Sequence, residues 1–360
     1  MDVGILKSEE RAIFTLRSLY RKYGYSPFKM SKFEEYEYYI RNKDFLISDR
    51  IITFNDTNGN LLALKPDVTL SIVKSSDETP GYKQKVYYNE NIYRISESTG
   101  RYKEIMQAGL ECIGDIDLYD IFEVVSLAAQ SLALISEDYI LQISHLGVLS
   151  SVLNSICTDP LFQQTALAYI SEKNSHDLYR LCTEYKISDH DSRRLCRLVS
   201  VYGDRAKVMD ALEEICAGYA KTQIAELKEL SALLDRLPFQ ERILFDFSVI
   251  NNMSYYNGIV FTGFLKGISD GILAGGQYDK LMQKLNRKSG AIGFAVYLDL
   301  LEQLAVQERS YDVDVLLIYS DATSAEAVSV KVDQLIGQGK TVSAQRAIPE
   351  KLRYKELVEI

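Results

Sequence analysis

Fifty-eight residues, 244–301, constrain this chain more than any other stretch. Their order reads strand, strand, strand, helix, strand, helix. Phe245, Phe247 and Val249 alternate with polar residues. Residues 259–265 form a β-branched and aromatic run, and Ser269, Asp270 and Gly271 then supply a hairpin turn. Gly275 and Gly276 are expected to interrupt a strand ending at Ala274, where bare backbone must lie against a ligand or another strand. Residues 290–293 read as a short small-residue strand that runs into an apolar helix over 294–304. The pattern specifies an antiparallel sheet with a polar, glycine-lined face.

Composition narrows the class. A 360-residue chain that is 47% hydrophobic and 25% charged can bury a large core in two or three units. Its net charge of -9 repels polyanions, which argues against a dedicated nucleic-acid binder. The five cysteines are odd in number, lack C-x-x-C spacing and mostly neighbour Leu or Ile, as buried thiols in a reducing compartment do. The first residues lack a signal-peptide pattern and no apolar run is read as reaching membrane-spanning length, so a cytoplasmic protein is expected. His145, His176 and His190 have no partner at metal-ligand spacing, and His145 reads as a hydrogen-bonded structural residue; no metal or cofactor is expected.

Along the chain, Ser8 reads as the N-cap of a helix ended by Gly24, with Ala12, Leu16, Leu19 and Tyr23 as its buried stripe. Residues 51–54 and 61–64 read as a hairpin joined by a turn-rich link at 56–59, and Pro66 suits the first position of a following helix. Asp67 and Thr69 then project from that helix's first turn. Gln107 and Glu111 lie four apart on a strand and therefore on one face, an unusual pair for a core and a natural one for a polar pocket. Residues 120–135 read as helix. Spacings of three and four dominate from about 149 to 237, the mark of an all-helical segment. Within it Arg193, Arg194, Arg197 and Arg205 form a basic patch, read as a solvated face.

Three motifs carry a family resemblance: Tyr255, Tyr256 and Asn257; Ala274 through Asp279; and Gly293 through Leu301. Together they resemble the C-terminal half of the catalytic core of histidyl-tRNA synthetase. Residues 62–69, and residues 91–94 with 100–102 and 104–111, resemble its amino-acid-binding stretch and second class II signature. The resemblance covers most of residues 5–305 and implies an α+β fold. A class II synthetase-like antiparallel sheet flanked by helices would span 1–310, with the helical insertion at about 149–237. A truncated anticodon-binding-like α/β segment would span 311–360. Residues 33–36 would lead into a region that helps make a dimer interface in class II synthetases, whereas the Tyr36, Tyr38 and Tyr39 cluster taken alone reads as amphipathic packing.

The departures from that family matter as much. Asn251 and Leu300 stand where the synthetase keeps arginines, and the loop at 95–99 lacks its Arg-Pro pair. Adenylate formation needs positioned cations on the α-phosphate, and removing one such donor typically costs about 3–4 kcal/mol. Arg242 and Arg287 are the candidates that would have to replace them in space. A synthetase core without those groups resembles the ATP phosphoribosyltransferase regulatory subunits. That resemblance implies a non-catalytic subunit of histidine biosynthesis, with histidine–tRNA ligase as the alternative. Its partner would be a short-form catalytic subunit, joined by a homodimer of this chain within a hetero-oligomer. Its ligand would be histidine, held by Asp67, Thr69, Arg94, Gln107, Glu111, Tyr255, Tyr256 and Tyr278.

Overall fold

The computed structural model describes residues 7–43, 46, 51–76, 78–95, 100–216, 218–250, 255–304 and 311–360. It divides into two compact units, Met1–Leu304 and Ala305–Ile360. The first begins with β1 (Ser26–Pro27), β2 (Phe33–Glu35), β3 (Thr53–Asn55), β4 (Leu61–Leu64), β5 (Gln84–Ile95) and β6 (Tyr102–Gly114). It continues with β7 (Tyr139–His145), β8 (Tyr202–Gly203), β9 (Ile243–Asp246), β10 (Ile259–Leu265), β11 (Leu273–Gln277) and β12 (Gly290–Tyr297). Nine of these make one sheet in the order β1-β5-β6-β12-β11-β10-β7-β9-β8, and β2-β4-β3 make a small second sheet. The central run from β5 to β7 is antiparallel throughout.

Helices cover both faces of the large sheet. On one side α1 (Ser8–Lys22) packs with α4 (Leu118–Ile135) in the larger apolar core. On the other, α2 (Tyr36–Arg41), α3 (Thr69–Ser75) and α11 (Asp279–Lys284) contribute Tyr39, Leu70, Ile72, Leu281 and Met282 to a smaller core with Val86, Tyr88 and Ile113. α4 has the length and apolarity of a membrane span, against the sequence expectation, but most of it is buried in the core. Buried apolar helices pass that test because the core and a bilayer select the same residues.

Helices α5 (Leu146–Ile156), α6 (Pro160–Ser171), α7 (Ser175–Glu184), α8 (Asp189–Val199), α9 (Arg205–Cys216) and α10 (Lys221–Leu234) form the insertion. It begins directly at the end of β7 and is tied back by β8, whose two residues pair with Asp246 and Phe245 of β9. The four arginines of its supposed basic patch are dispersed. Arg205 is buried, donates to the Gln240 and Ile243 carbonyls at 2.7 and 2.6 Å and pairs with Asp235. Arg194 donates to the Ile215 carbonyl and Ser155, while Arg193 and Arg197 pair with Asp189 and Glu214.

Several local expectations are corrected. α1 is capped at Lys7, whose backbone N–H donates to Glu10 at 2.9 Å, and Tyr20 replaces Tyr23 in its buried stripe. α3 starts at Thr69, not at Pro66. β9 stops at Asp246, because that carboxylate turns the chain by accepting from the Ser248 backbone and hydroxyl at 2.9 and 2.6 Å. β11 runs through both glycines. A Cβ on Gly275 would stand 2.5 Å from that of Phe294, and one on Gly276 would stand 2.7 Å from the Ile259 carbonyl oxygen. The bare backbone therefore answers to neighbouring strands. Finally, residues 294–297 extend β12, and a 3-10 helix occupies Leu298–Gln303. Short apolar runs do not distinguish strand from helix by period; pairing to β6 and β11 on both sides decides it here.

The second unit is a parallel sheet in the order β14-β13-β15. Its strands are β13 (Val313–Ile318), β14 (Val342–Gln345) and β15 (Tyr354–Glu359), with α12 (Ala325–Gly337) between the first two. Strand β15 goes beyond the β-α-β opening read from the sequence. Val315, Leu316 and Leu317 of the central strand are its fully buried residues.

Candidate functional site

Three cross-strand rows of the large sheet build a cavity on the α3–α11 side. In the first row Glu111 of β6 lies opposite Gly293 of β12, which lies opposite Gly276 of β11. In the second, Tyr88, Gly109, Ala295 and Ala274 are successive partners on β5, β6, β12 and β11; in the third, Glu90, Gln107 and Tyr297 follow each other. Side chains at such positions share a face. The middle row is small where the sheet must be hollow. Any Cβ on Gly109 would overlap the Tyr88 phenol, and any Cβ on Gly293 would overlap the Glu111 carboxylate. The concavity is thus written in glycine and alanine, with the large polar side chains rising around it.

The resulting cavity of about 290 Å³ is lined by every residue proposed from the sequence: Asp67, Thr69, Arg94, Gln107, Glu111, Tyr255, Tyr256 and Tyr278. It also takes in Tyr88 and Tyr297, which the sequence reading did not select. Tyr297 was hidden by the helix expected over 294–304. Read as a strand, its parity with Gly293 puts it on the cavity face.

Glu111, 2% exposed, sits at the centre. Its Oε1 accepts from the Thr69 hydroxyl at 2.9 Å and its Oε2 from the Tyr278 hydroxyl at 2.6 Å. Burial pushes its carboxyl up to about 8; the two hydroxyl donors partly offset this, and neighbouring Asp67 adds to it. Asp67 is likewise raised by burial, against the Leu70 N–H at 2.8 Å and the charge of Arg94. Arg94 is steered by its Nε, which donates to the Pro66 carbonyl at 3.1 Å. Tyr255 stacks with Tyr256 and Tyr278 at ring-centroid distances of 4.6 and 5.6 Å, giving the cavity an aromatic wall.

The other polar residues of the 255–257 and 274–279 motifs are structural. Asn257 Nδ2 donates to Asp279 at 3.1 Å, the Asp279 N–H returns a bond to Asn257 at 2.8 Å, and Asp279 also accepts from the Ala291 N–H at 3.0 Å. Gln277 accepts from the Ile259 N–H at 2.7 Å. These bonds fix the turn that aims Tyr278 at Glu111.

Among the described residues Arg94 is the one cationic side chain lining the cavity. Leu300 packs half-buried against the larger core; Asn251 and residues 96–99 lie outside the described residues. Arg242 stands over the Tyr139 ring, and neither it nor Arg287 is among the described residues that line the cavity. His145 caps α5 by accepting from the Gly147 N–H at 3.0 Å and meets Glu226 at 3.3 Å, a structural role as expected. No group of three metal-ligating side chains occurs among the described residues.

The cavity is suited to a small zwitterion. A guanidinium can take a carboxylate, acids and an amide can take ammonium or ring N–H groups, and tyrosines can pack a planar ring.

Comparison with known proteins places this geometry in a family. Residues 6–301 match the family described as histidyl-tRNA synthetase. An ATP phosphoribosyltransferase regulatory subunit of Oceanobacillus iheyensis is 30% identical over 290 residues, spanning 79% of this chain and 71% of the relative. A crystal structure from Bacillus halodurans, described as an ATP phosphoribosyltransferase regulatory subunit/histidyl-tRNA synthetase, superposes with a TM-score of 0.76 at 25% identity and covers 98% of this chain and 93% of that one. A chain of an ATP phosphoribosyl transferase complex from Thermotoga maritima shares the fold at 23% identity, with a TM-score of 0.63 over 81% of this chain and 97% of its own. The chain belongs to the histidyl-tRNA synthetase family, on the branch of the ATP phosphoribosyltransferase regulatory subunits.

Proposed function

We propose that this protein is the non-catalytic regulatory subunit of an ATP phosphoribosyltransferase and that its cavity binds histidine. One observation carries the reading: two carboxylates, an amide and tyrosines surround a space whose described lining offers a single cation. Arg94 takes the α-carboxylate of histidine, Asp67 and Thr69 meet the ammonium, and Gln107 and Glu111 meet the imidazole N–H beside Tyr256. A triphosphate in the same space would meet two acids and one guanidinium, a balance that disfavours adenylate formation. The relatives' names and the Thermotoga maritima complex support a short-form catalytic subunit as partner.

The chain acts as a dimer within that assembly, through the β2–β4–β3 sheet, where Phe33 and Phe54 are exposed and stacked edge to face at 5.6 Å. The unit from Ala305 resembles the start of an anticodon-binding domain and serves docking or stability. Five free thiols fit the reducing cytoplasm. Purified chain mixed with a short-form catalytic subunit should co-elute with it and raise its turnover, and histidine should then lower that turnover. A catalytic subunit whose rate and elution ignore this chain would contradict the assignment.

A further inference from the structure

No other charged residue among the described ones is as deeply buried as Lys65, and the proposed ligand contacts do not use it. It directly follows β4, and its Nζ donates to Glu90 Oε2 at 2.8 Å. On β5, Tyr88, Glu90, Ile92 and Arg94 alternate onto one face, and Tyr88 and Arg94 line the cavity. Glu90 therefore stands between two lining residues, opposite Gln107 of β6.

Burial pulls the Lys65 ammonium below its usual range, and Glu90 opposes that pull. Well-packed apolar residues of similar volume often serve stability as well as a buried ion pair does, so stability alone does not account for this one. What surrounds the pair is a turn tied down at every residue. The Lys65 N–H donates to the Lys32 carbonyl at 3.0 Å, and the Lys65 carbonyl accepts from the Tyr93 N–H at 2.9 Å. The Pro66 carbonyl accepts from Arg94 Nε at 3.1 Å, and Asp67 comes next in the chain. Three bonds, from the ammonium and from two successive carbonyls, thus fasten residues 65–66 to the end of β5. They bring Asp67 under two cations: burial raises its carboxyl, and the charges of Arg94 and Lys65 act against the rise.

We propose that Lys65 is a positioning residue of the cavity: its ammonium, anchored on Glu90, holds the 65–67 turn against β5 so that Asp67 and Arg94 meet the two charged groups of one amino acid together. The proposal rests on the histidine reading of the site. It assigns Lys65 to the end of the ligand that carries the α-ammonium and α-carboxylate. Lys65 has no part at the imidazole end, where Gln107 and Glu111 are carried by β6 in the middle of the sheet and Tyr278 fixes Glu111.

Calorimetric titration of the full chain with histidine and with 4-methylimidazole, which keeps the ring and lacks both charged groups, separates the two ends. Lys65→Met alone would leave Glu90 without its cation and cost stability whatever Lys65 does, so it is combined with Glu90→Leu. That double variant should fold, lose about tenfold in histidine affinity and bind 4-methylimidazole within about twofold of the parent. Glu90→Gln keeps an acceptor but weakens the anchor, and should show the same split at roughly threefold. Parent-like histidine affinity in the double variant, or an equal loss of both ligands in either variant, would overturn the role of Lys65 and leave the histidine reading standing. Failure of the parent chain to bind histidine would instead overturn that reading, and the role of Lys65 with it.

Discussion

At the residue scale the account turns on Glu111. Its two oxygens are both engaged by hydroxyl donors inside a buried site, and a ligand cation would complete a charge-assisted network there. Glu111→Ala should weaken histidine binding by roughly 30- to 100-fold, the loss of one buried charged hydrogen bond, as read by calorimetry. The raised carboxyl also has a signed consequence. Because the folded-state value of about 8 lies above the ordinary 4.5, the apo folded state holds a proton that the unfolded state releases between those values. Stability from this group is complete below about pH 4.5 and falls as pH rises through 8. Urea titrations across that window should show a decline that Glu111→Gln, unable to ionise, largely removes. If histidine binds the carboxylate form, its uptake near pH 7 releases a proton, visible as a dependence of binding heat on the ionisation enthalpy of the buffer. Gly293→Ala tests the same centre from below: its methyl would occupy the space of the Glu111 carboxylate, so histidine binding should fall at least as far as in Glu111→Ala. Much of this was legible in the chain, since Gln107 and Glu111 at an even spacing are a pocket signature whatever surrounds them. Tyr88 was not legible, because its room depends on Gly109 of the neighbouring strand, a register that no local pattern specifies.

At the element scale, the hairpin of β10 and β11, the insertion helices and the pairing of β5 with β6 follow from turn residues and periodicity that sit within each segment. Failures arose where a neighbour decides. Residues 294–297 read as either element until β6 and β11 flank them, and the 275–276 glycine pair reads as a break until β10 and β12 are seen to press on it. Arg205 is the same lesson in charge. In sequence it belongs to a basic cluster, yet in the fold it stands at the foot of α9 and satisfies the carbonyls that end the turn before β9. Arg205→Met should therefore destabilise the chain by about 3 kcal/mol, because it leaves those buried acceptors and Asp235 unpaired. Arg193→Met, whose pair is exposed, should shift the urea midpoint far less. Equal effects of the two would mean the insertion is not anchored through Arg205.

At the scale of the whole molecule, an antiparallel sheet has been kept with its hollow, its amino-acid-sized polar lining and the Asn257–Asp279 brace that aims Tyr278. What the described lining lacks is a second cation for a reacting phosphate. Histidine added to apo chain should raise its melting temperature by mass action, by an amount that grows with ligand concentration. The central claim is that this hollow binds an amino acid without activating it. Exchange of labelled pyrophosphate into ATP, measured with histidine, Mg²⁺ and protein that binds histidine by calorimetry, tests it most directly. The account predicts exchange indistinguishable from a no-protein control; histidine-dependent exchange at the rate of a working synthetase would contradict it.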